Sequence, residues 1–226
     1  MKITFLGQNG FLIESKNSKI IVDPYLSDSV QLIEPQNKRR QPIDERFLNI
    51  KPTAVIITHA HADHYDEQTL DKLLHKNVGC VLLAPPSVFV KAKKRYPECN
   101  CVYFENGTSY SVDGVLFTAV VAEHSDPDAI GVIISCEGKN YYITGDTLYS
   151  EKVFESLPKI NFEAVFLPIN GRGNNMNAVD AARFLNRLNY KFAVPTHFGM
   201  FDDMTGKELN CENKIVPQIY KEINLQ

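Results

Sequence analysis

Thr58-His59-Ala60-His61-Ala62-Asp63-His64-Tyr65 packs three imidazoles and a carboxylate into six consecutive positions, directly after the apolar run Ala54-Val55-Ile56-Ile57. A strand that ends in a burst of metal-ligand side chains places a site at the carboxyl edge of a sheet. The whole chain holds six histidines and half of them are here, so chance clustering is a poor explanation.

Outward from this segment the chain reads as alternating β and α elements. On the amino-terminal side, Ile3 to Leu6, Phe11 to Glu14 and Lys19 to Val22 are short β-prone runs separated by turn chemistry at Gly7-Gln8-Asn9-Gly10 and Lys16-Asn17-Ser18. Asp23-Pro24 ends the third run. The polar stretch from Ser27 to about Arg46 reads as a long irregular loop, of the kind that carries function or moves. On the carboxyl side, Leu70, Leu73 and Leu74 take one face of a helix capped by Asp66, and Val81 to Ala84 is a buried strand. Pro85-Pro86-Ser87 opens a second helix that runs through Val90 to Tyr96. Strands are expected at Cys101 to Phe104, Val115 to Val121, Gly131 to Cys136, Tyr141 to Thr144, Phe162 to Leu167 and Phe192 to Val194. A helix carrying Ala178, Ala181, Ala182, Leu185 and Leu188 on one face separates the last two. Two sheets covered by helices on their outer faces satisfy that order within one domain, residues 1–226.

The remaining ligand candidates share the context of the first cluster. His124 follows Val115 to Val121, Asp146 follows Tyr141 to Thr144 in Gly145-Asp146-Thr147, and His197 follows Phe192 to Val194. Strand-end loops converge on one rim of a sheet, so these distant positions can meet. Imidazole and carboxylate donors suit Zn²⁺, Mn²⁺ or Fe. Seven donors exceed one tetrahedral ion and suit two ions sharing a bridge. Two such ions about 3.5–4 Å apart hold a hydroxide at neutral pH and polarise the group it attacks. Asp146 is the best bridge, because a carboxylate offers one oxygen to each cation.

The pattern His59-x-His61-x-Asp63-His64, then His124, Asp146 and His197, resembles the five-motif signature of the metallo-β-lactamase superfamily. Asp23-Pro24-Tyr25-Leu26, Leu167-Pro168-Ile169-Asn170-Gly171 and Val194-Pro195-Thr196-His197-Phe198-Gly199-Met200-Phe201 are similar to the branch of the L-ascorbate-6-phosphate lactonases and related hydrolases. The resemblance implies a four-layer αββα sandwich with the site on one edge. It implies that His59, His61 and His124 bind one metal and Asp63, His64 and His197 a second, with Asp146 bridging. Those lactonases are longer and carry insertions that this chain lacks. The expected activity is a two-metal hydrolysis, with Asp63 and Asp146 catalytic, on a lactone or (phospho)ester of a small anionic metabolite. Diiron redox chemistry and phosphodiesterase or nuclease activity are the alternatives on the same fold; diiron members usually show a carboxylate where this chain has His61.

Substrate contacts are sought in the quieter loops. Asn170-Gly171-Arg172-Gly173-Asn174-Asn175 reads equally as a turn and as a substrate-facing loop with Arg172 as an anion clamp. Lys38-Arg39-Arg40 reads as a solvated charge run, with closure of Arg39 over an anionic substrate as the functional alternative. Tyr65 and Asp66 are candidates to orient the ligands, and His75 reads as a surface residue. The net charge of −3 gives no reason to bind nucleic acid or an anionic membrane. No apolar run is long enough to span a bilayer, and the first residues turn polar before a signal core forms. Five cysteines without C-x-x-C spacing argue against a disulfide framework, and a reduced, cytoplasmic protein is expected.

Overall fold

In Lys19–Val22, Ile20 and Val22 enter one apolar cluster while Ile21 enters another, and Ala54 and Ile56 part from Val55 and Ile57 in the same way. Residues i and i+2 share a strand face, so these strands are covered on both sides. That is why they read as continuous apolar runs rather than as alternating ones. In the computed structural model, which describes every residue except Lys76, Val78 and Gln226, the runs assemble into two six-stranded sheets.

The first sheet is β1 (Lys2–Gly7), β2 (Gly10–Glu14), β3 (Lys19–Val22), β4 (Ala54–Ile56), β5 (Val81–Ala84) and β6 (Asn100–Tyr103), in that spatial order. The second contains β7 (Ser109–Val112), β8 (Val115–Val121), β9 (Ile130–Cys136), β10 (Lys139–Ile143), β11 (Asn161–Pro168) and β12 (Asn189–Thr196). β1 to β3 are antiparallel and β3 to β6 parallel; β7 to β10 are antiparallel and β10 to β12 parallel. It follows that β1, β3 and β4 end on one rim of the first sheet, and β8, β10, β11 and β12 on one rim of the second. Pro195 is tolerated because β12 is an edge strand.

Among the described residues, the α-helices α1 (Ser29–Ile33), α2 (Glu67–Leu74), α3 (Pro86–Arg95), α4 (Glu151–Ser156) and α5 (Ala178–Leu185) complete the layers, with a short 3-10 turn at Phe47–Asn49. Leu70, Leu73, Leu74, Val88 and Ala92 of α2 and α3 pack on the first sheet, and Val153, Ala181, Phe184 and Leu185 of α4 and α5 on the second. Between the sheets, the Phe11 and Phe166 rings meet edge-on with centroids 4.9 Å apart. A fully buried ring of this kind contributes roughly 2–3 kcal/mol by leaving water. The architecture is the expected αββα sandwich.

The structure adds elements to the reading of the sequence. The 27–46 stretch contains α1, so it is not wholly irregular, and β7 and α4 stand where no element was expected. The cap of α2 is as read: Asp66 Oδ1 accepts from Gln68 N at 3.2 Å, and its other oxygen accepts the Thr69 hydroxyl. Asp66 therefore serves the helix and not the histidines. The Tyr65 hydroxyl is buried without a partner among the described residues. His75 is exposed, as expected.

Candidate metal centre

All seven candidate ligands meet where the two rims face each other. Two backbone hydrogen bonds join the rims there, Ile130 N to Thr58 O at 3.0 Å and His197 N to Gln8 O at 2.8 Å. The turns that aim the side chains are tight. Gln8, Asp23 and His197 have φ of 53°, 42° and 57°, a left-handed region that non-glycine residues enter at a cost and that concentrates at functional sites. Gly145 takes φ 64°, and a Cβ there would meet the Ile130 carbonyl oxygen at 2.7 Å. Only glycine lets the chain leave β10 and present Asp146.

The imidazoles form two groups. His61 Nδ1 lies 3.0 Å from His59 Nε2 and 3.1 Å from His124 Nε2. Adjacent corners of a tetrahedron with Zn–N bonds of about 2.0–2.1 Å lie roughly 3.3 Å apart, so the spacing fits three ligands of one ion. On the other side, His197 Nε2 lies 3.3 Å from Asp63 Oδ2 and 3.1 Å from Asp146 Oδ2, while His64 Nε2 lies 3.4 Å from Asp146 Oδ1. Neither His64 Nε2 nor Asp146 Oδ1 has a hydrogen-bond partner among the described residues, although both are buried. Two buried, facing, unsatisfied groups of this kind suit a shared cation.

Each imidazole is held from behind by the nitrogen that does not face the centre. His64 Nδ1 lies 2.8 Å from Asp23 Oδ2. Thr58 donates its hydroxyl to that same Asp23 oxygen at 2.6 Å, so its oxygen is free to accept from His59 Nδ1 at 3.1 Å. His124 Nδ1 donates to the Asn174 carbonyl at 3.2 Å, His61 Nε2 faces Ser125 Oγ at 3.3 Å, and His197 Nδ1 meets the Asn170 amide at 2.9 Å. Partners of this type select the tautomer and aim the other lone pair. The donor chemistry and the convergence together fit bound divalent metal.

Electrostatics divide the centre in two. Burial holds the His59 and His124 imidazoles below the usual histidine range, and they stay neutral. Burial opposes charge on His197 too, but the Asp146 and Asp63 carboxylates overcome it and push its pKa up to about 10. His64 is raised in the same way, against burial, by Asp146, Asp63 and Asp23. Burial would lift Asp63 and Asp146, yet the two charged histidines hold both well below the carboxylate range. Without a metal, protons on His64 and His197 balance the two carboxylates, the place that a bound cation would take.

A cleft of about 520 Å³ opens over the centre, lined by Asp63, Asp146, His61 and His197, by Asn170, Arg172 and Asn175, and by Val30, Ile33 and Phe201. Arg39 is elsewhere. It is 7% exposed, and its guanidinium donates to the Gln41 and Tyr25 carbonyls and the Tyr220 hydroxyl, each at 2.8 Å. All three guanidinium nitrogens are engaged, so Arg39 is neither the solvated charge that was expected nor placed for the alternative, closure over a substrate. Arg40 pairs with Asp203, which leaves the basic run tying loops together. Four residues at the centre were not picked out from the sequence: Asp23, Thr58, Gln8, whose Nε2 donates to Asp63 Oδ2 at 2.8 Å, and Asp126, which accepts from Ala60 N at 2.9 Å. The signals for them were position, since Gln8, Asp23 and Asp126 also follow strand ends or ligand residues, and for Asp23 its place in the Asp23-Pro24-Tyr25-Leu26 motif.

Comparison with known proteins agrees with this architecture. Residues 2–197 match the family described as Beta-lactamase superfamily domain. The chain is 28% identical over 207 residues to a UPF0173 metal-dependent hydrolase of Pyrococcus abyssi, covering 88% of this chain and 84% of that one. Among solved structures, Igni18, a metallo hydrolase from Ignicoccus hospitalis, superposes with a TM-score of 0.73 at 21% identity, over 98% of this chain and 96% of that one. An isothiocyanate hydrolase from Delia radicum gut bacteria superposes with a TM-score of 0.76 at 19% identity, over 99% of both chains. At these identities the two structures show a shared fold. On that match over residues 2–197, the chain belongs to the β-lactamase superfamily domain family.

Proposed function

We propose that this metal-dependent hydrolase works with two divalent ions, Zn²⁺ or Mn²⁺ (with Fe as a further candidate), on a lactone or (phospho)ester of a small anionic metabolite. His59, His61 and His124 would hold one ion, Asp63, His64 and His197 the other, and Asp146 would lie between. One observation carries the reading: five imidazoles are each anchored by one nitrogen, and by the other they gather into two adjoining groups, His59, His61 and His124 on one side and His64 and His197 with Asp63 and Asp146 on the other. Ions held there supply Lewis acidity and an activated water at neutral pH. The chain's own residues do the rest. Asp63, on the cleft wall and steadied by the Gln8 amide, orients the attacking water by accepting its hydrogen. Arg172 is exposed on that wall, where it offers a fork of donors to a carboxylate or phosphate. Val30, Ile33 and Phe201 offer apolar contact to the remainder of the substrate. The five cysteines are free, which suits a reducing, cytoplasmic setting, and no described helix is long and apolar enough to cross a membrane.

Elemental analysis of the purified protein, joined to a panel of sugar-acid lactones, phosphate esters and phosphodiesters, tests the reading. Two equivalents of metal and turnover of a lactone or ester are expected. Metal-replete protein that hydrolyses nothing on the panel, or turnover that survives complete metal removal, would sink it. Arg172→Ala is expected to raise KM for anionic substrates by about tenfold, the worth of a solvent-exposed charged contact, with kcat little changed. An equal KM for the two proteins would remove Arg172 from substrate recognition.

A further inference from the structure

The segment Asn170-Gly171-Arg172-Gly173-Asn174-Asn175 leaves the end of β11 and touches three of the seven residues at the centre. The Asn170 amide meets His197 Nδ1 at 2.9 Å, the Asn174 carbonyl accepts from His124 Nδ1 at 3.2 Å, and Asn175 Nδ2 donates to Asp146 Oδ2 at 2.8 Å. These three residues come from three different strand ends, those of β12, β8 and β10. Asp23 and Thr58 already brace the turn after β4, so this one loop braces every ligand candidate outside that turn.

The loop is built to hold its shape. Gly171, Gly173 and Asn174 have φ of 64°, 61° and 63°, conformations that glycine adopts freely and asparagine tolerates. Gly171 N donates to Met176 O at 3.1 Å, Met176 N donates to Thr147 O at 2.9 Å, and the Met176 side chain is fully buried. Asn175 is itself 5% exposed. Its single side-chain hydrogen bond goes to Asp146 Oδ2, which leaves Asp146 Oδ1 open on the centre. Asn170 Oδ1 is also unpartnered among the described residues. With that amide turned over, Oδ1 accepts Nδ1–H of His197 and the Nε2 lone pair is released toward the carboxylates, a choice set by the hydrogen-bond network.

We propose that Asn170 and Asn175 are positioning residues that fix the His197 tautomer and the Asp146 orientation for metal binding. The loop as a whole is then a three-point brace, with Arg172 carried on its outer edge. This rests on the two-ion reading above. Asn170 acts through His197 and Asn175 through Asp146; neither needs to touch substrate.

The experiment is a chelator competition with Zn²⁺ and with Mn²⁺ on full-length protein, comparing wild type with Asn170→Ala, Asn170→Asp, Asn170→Leu and Asn175→Ala. Both alanine variants are expected to bind at least one ion about 10–100-fold more weakly, the usual effect of losing a group that orients a ligand. Asn170→Asp keeps an acceptor for Nδ1–H and is expected to bind more tightly than Asn170→Ala. Asn170→Leu fills the same space without an acceptor and is expected to bind as weakly as Asn170→Ala, whereas a residue that merely filled space would be rescued by leucine as well. Alanine variants matching wild-type affinity, or an aspartate variant no tighter than the alanine one, would overturn the proposal while the two-ion reading stood. Wild-type protein that takes up neither metal would overturn both. Should an alanine variant fail to fold, the near-isosteric Asn170→Asp against wild type still decides: a loss of affinity of tenfold or more counts against the brace.

Discussion

Asp146→Asn is expected to lower turnover by about a thousandfold or more and to strip at least one metal equivalent from the purified protein. The side chain is 4% exposed, with Oδ1 3.4 Å from His64 Nε2 and Oδ2 3.1 Å from His197 Nε2. Asparagine keeps the shape and the Gly145 turn, so the fold should survive. It removes the charge, and it turns one of the two oxygens into an N–H donor that faces a cationic centre. Charge stabilisation at a metal site is worth several kcal/mol, and each 1.36 kcal/mol is tenfold in rate, which gives the thousandfold figure. In the metal-free protein the same change withdraws the anion that sustains the proton on His197, whose pKa should fall from about 10 toward the ordinary range. Steady-state kinetics with elemental analysis decides: a variant within tenfold of wild type, fully loaded, would show that Asp146 does not join the ions.

What the sequence disclosed was the set of donors, and what it concealed was what holds them. His59, His61, Asp63 and His64 were legible because they lie within six positions, and His124, Asp146 and His197 because each follows an apolar run. Parallel and antiparallel pairing then forces those strand ends onto facing rims. Asp23 was opaque because its partners are 35 and 41 positions away, at Thr58 and His64. The motif Asp23-Pro24-Tyr25-Leu26 marks the position by resemblance, but nothing local says that its carboxylate holds Thr58 and His64. Arg39 was misleading for the opposite reason: flanked by Lys38 and Arg40 it reads as solvated, yet it is buried because backbone carbonyls and a tyrosine hydroxyl satisfy its donors. The missed β7 carries its signal in Ser109-Tyr110-Ser111-Val112, where exposed and half-buried residues alternate. Four residues at an edge give that alternation little weight. Arg172 had been read evenly as turn or clamp, and it stands exposed on the wall of the cleft.

Asp23→Ala is expected to destabilise the metal-free protein by about 3–5 kcal/mol, the range for removing one partner of a buried charged pair. Asp23 is fully buried, and its carboxylate accepts four hydrogen bonds. These come from Thr58 N at 2.8 Å, Thr58 Oγ1 at 2.6 Å, Asn9 Nδ2 at 3.0 Å and His64 Nδ1 at 2.8 Å. Alanine leaves all four donors in a dry site, each with a desolvation penalty of about 1–3 kcal/mol unless the turn relaxes to rescue it. Relaxation is restricted, because Asp23 N donates to Ile56 O at 3.0 Å and Thr58 O accepts from Ile130 N at 3.0 Å, which pins the turn between both sheets. Urea unfolding in the presence of chelator measures the loss, and a change under 1 kcal/mol would mean that the four bonds contribute little net stability. A second consequence separates this residue from a purely structural one. Without the carboxylate, His64 can carry its proton on either nitrogen, and Thr58 no longer needs to donate away from His59. Both imidazoles then lose the bias toward presenting Nε2, so metal affinity should fall by about 10–100-fold even under conditions where the variant remains folded.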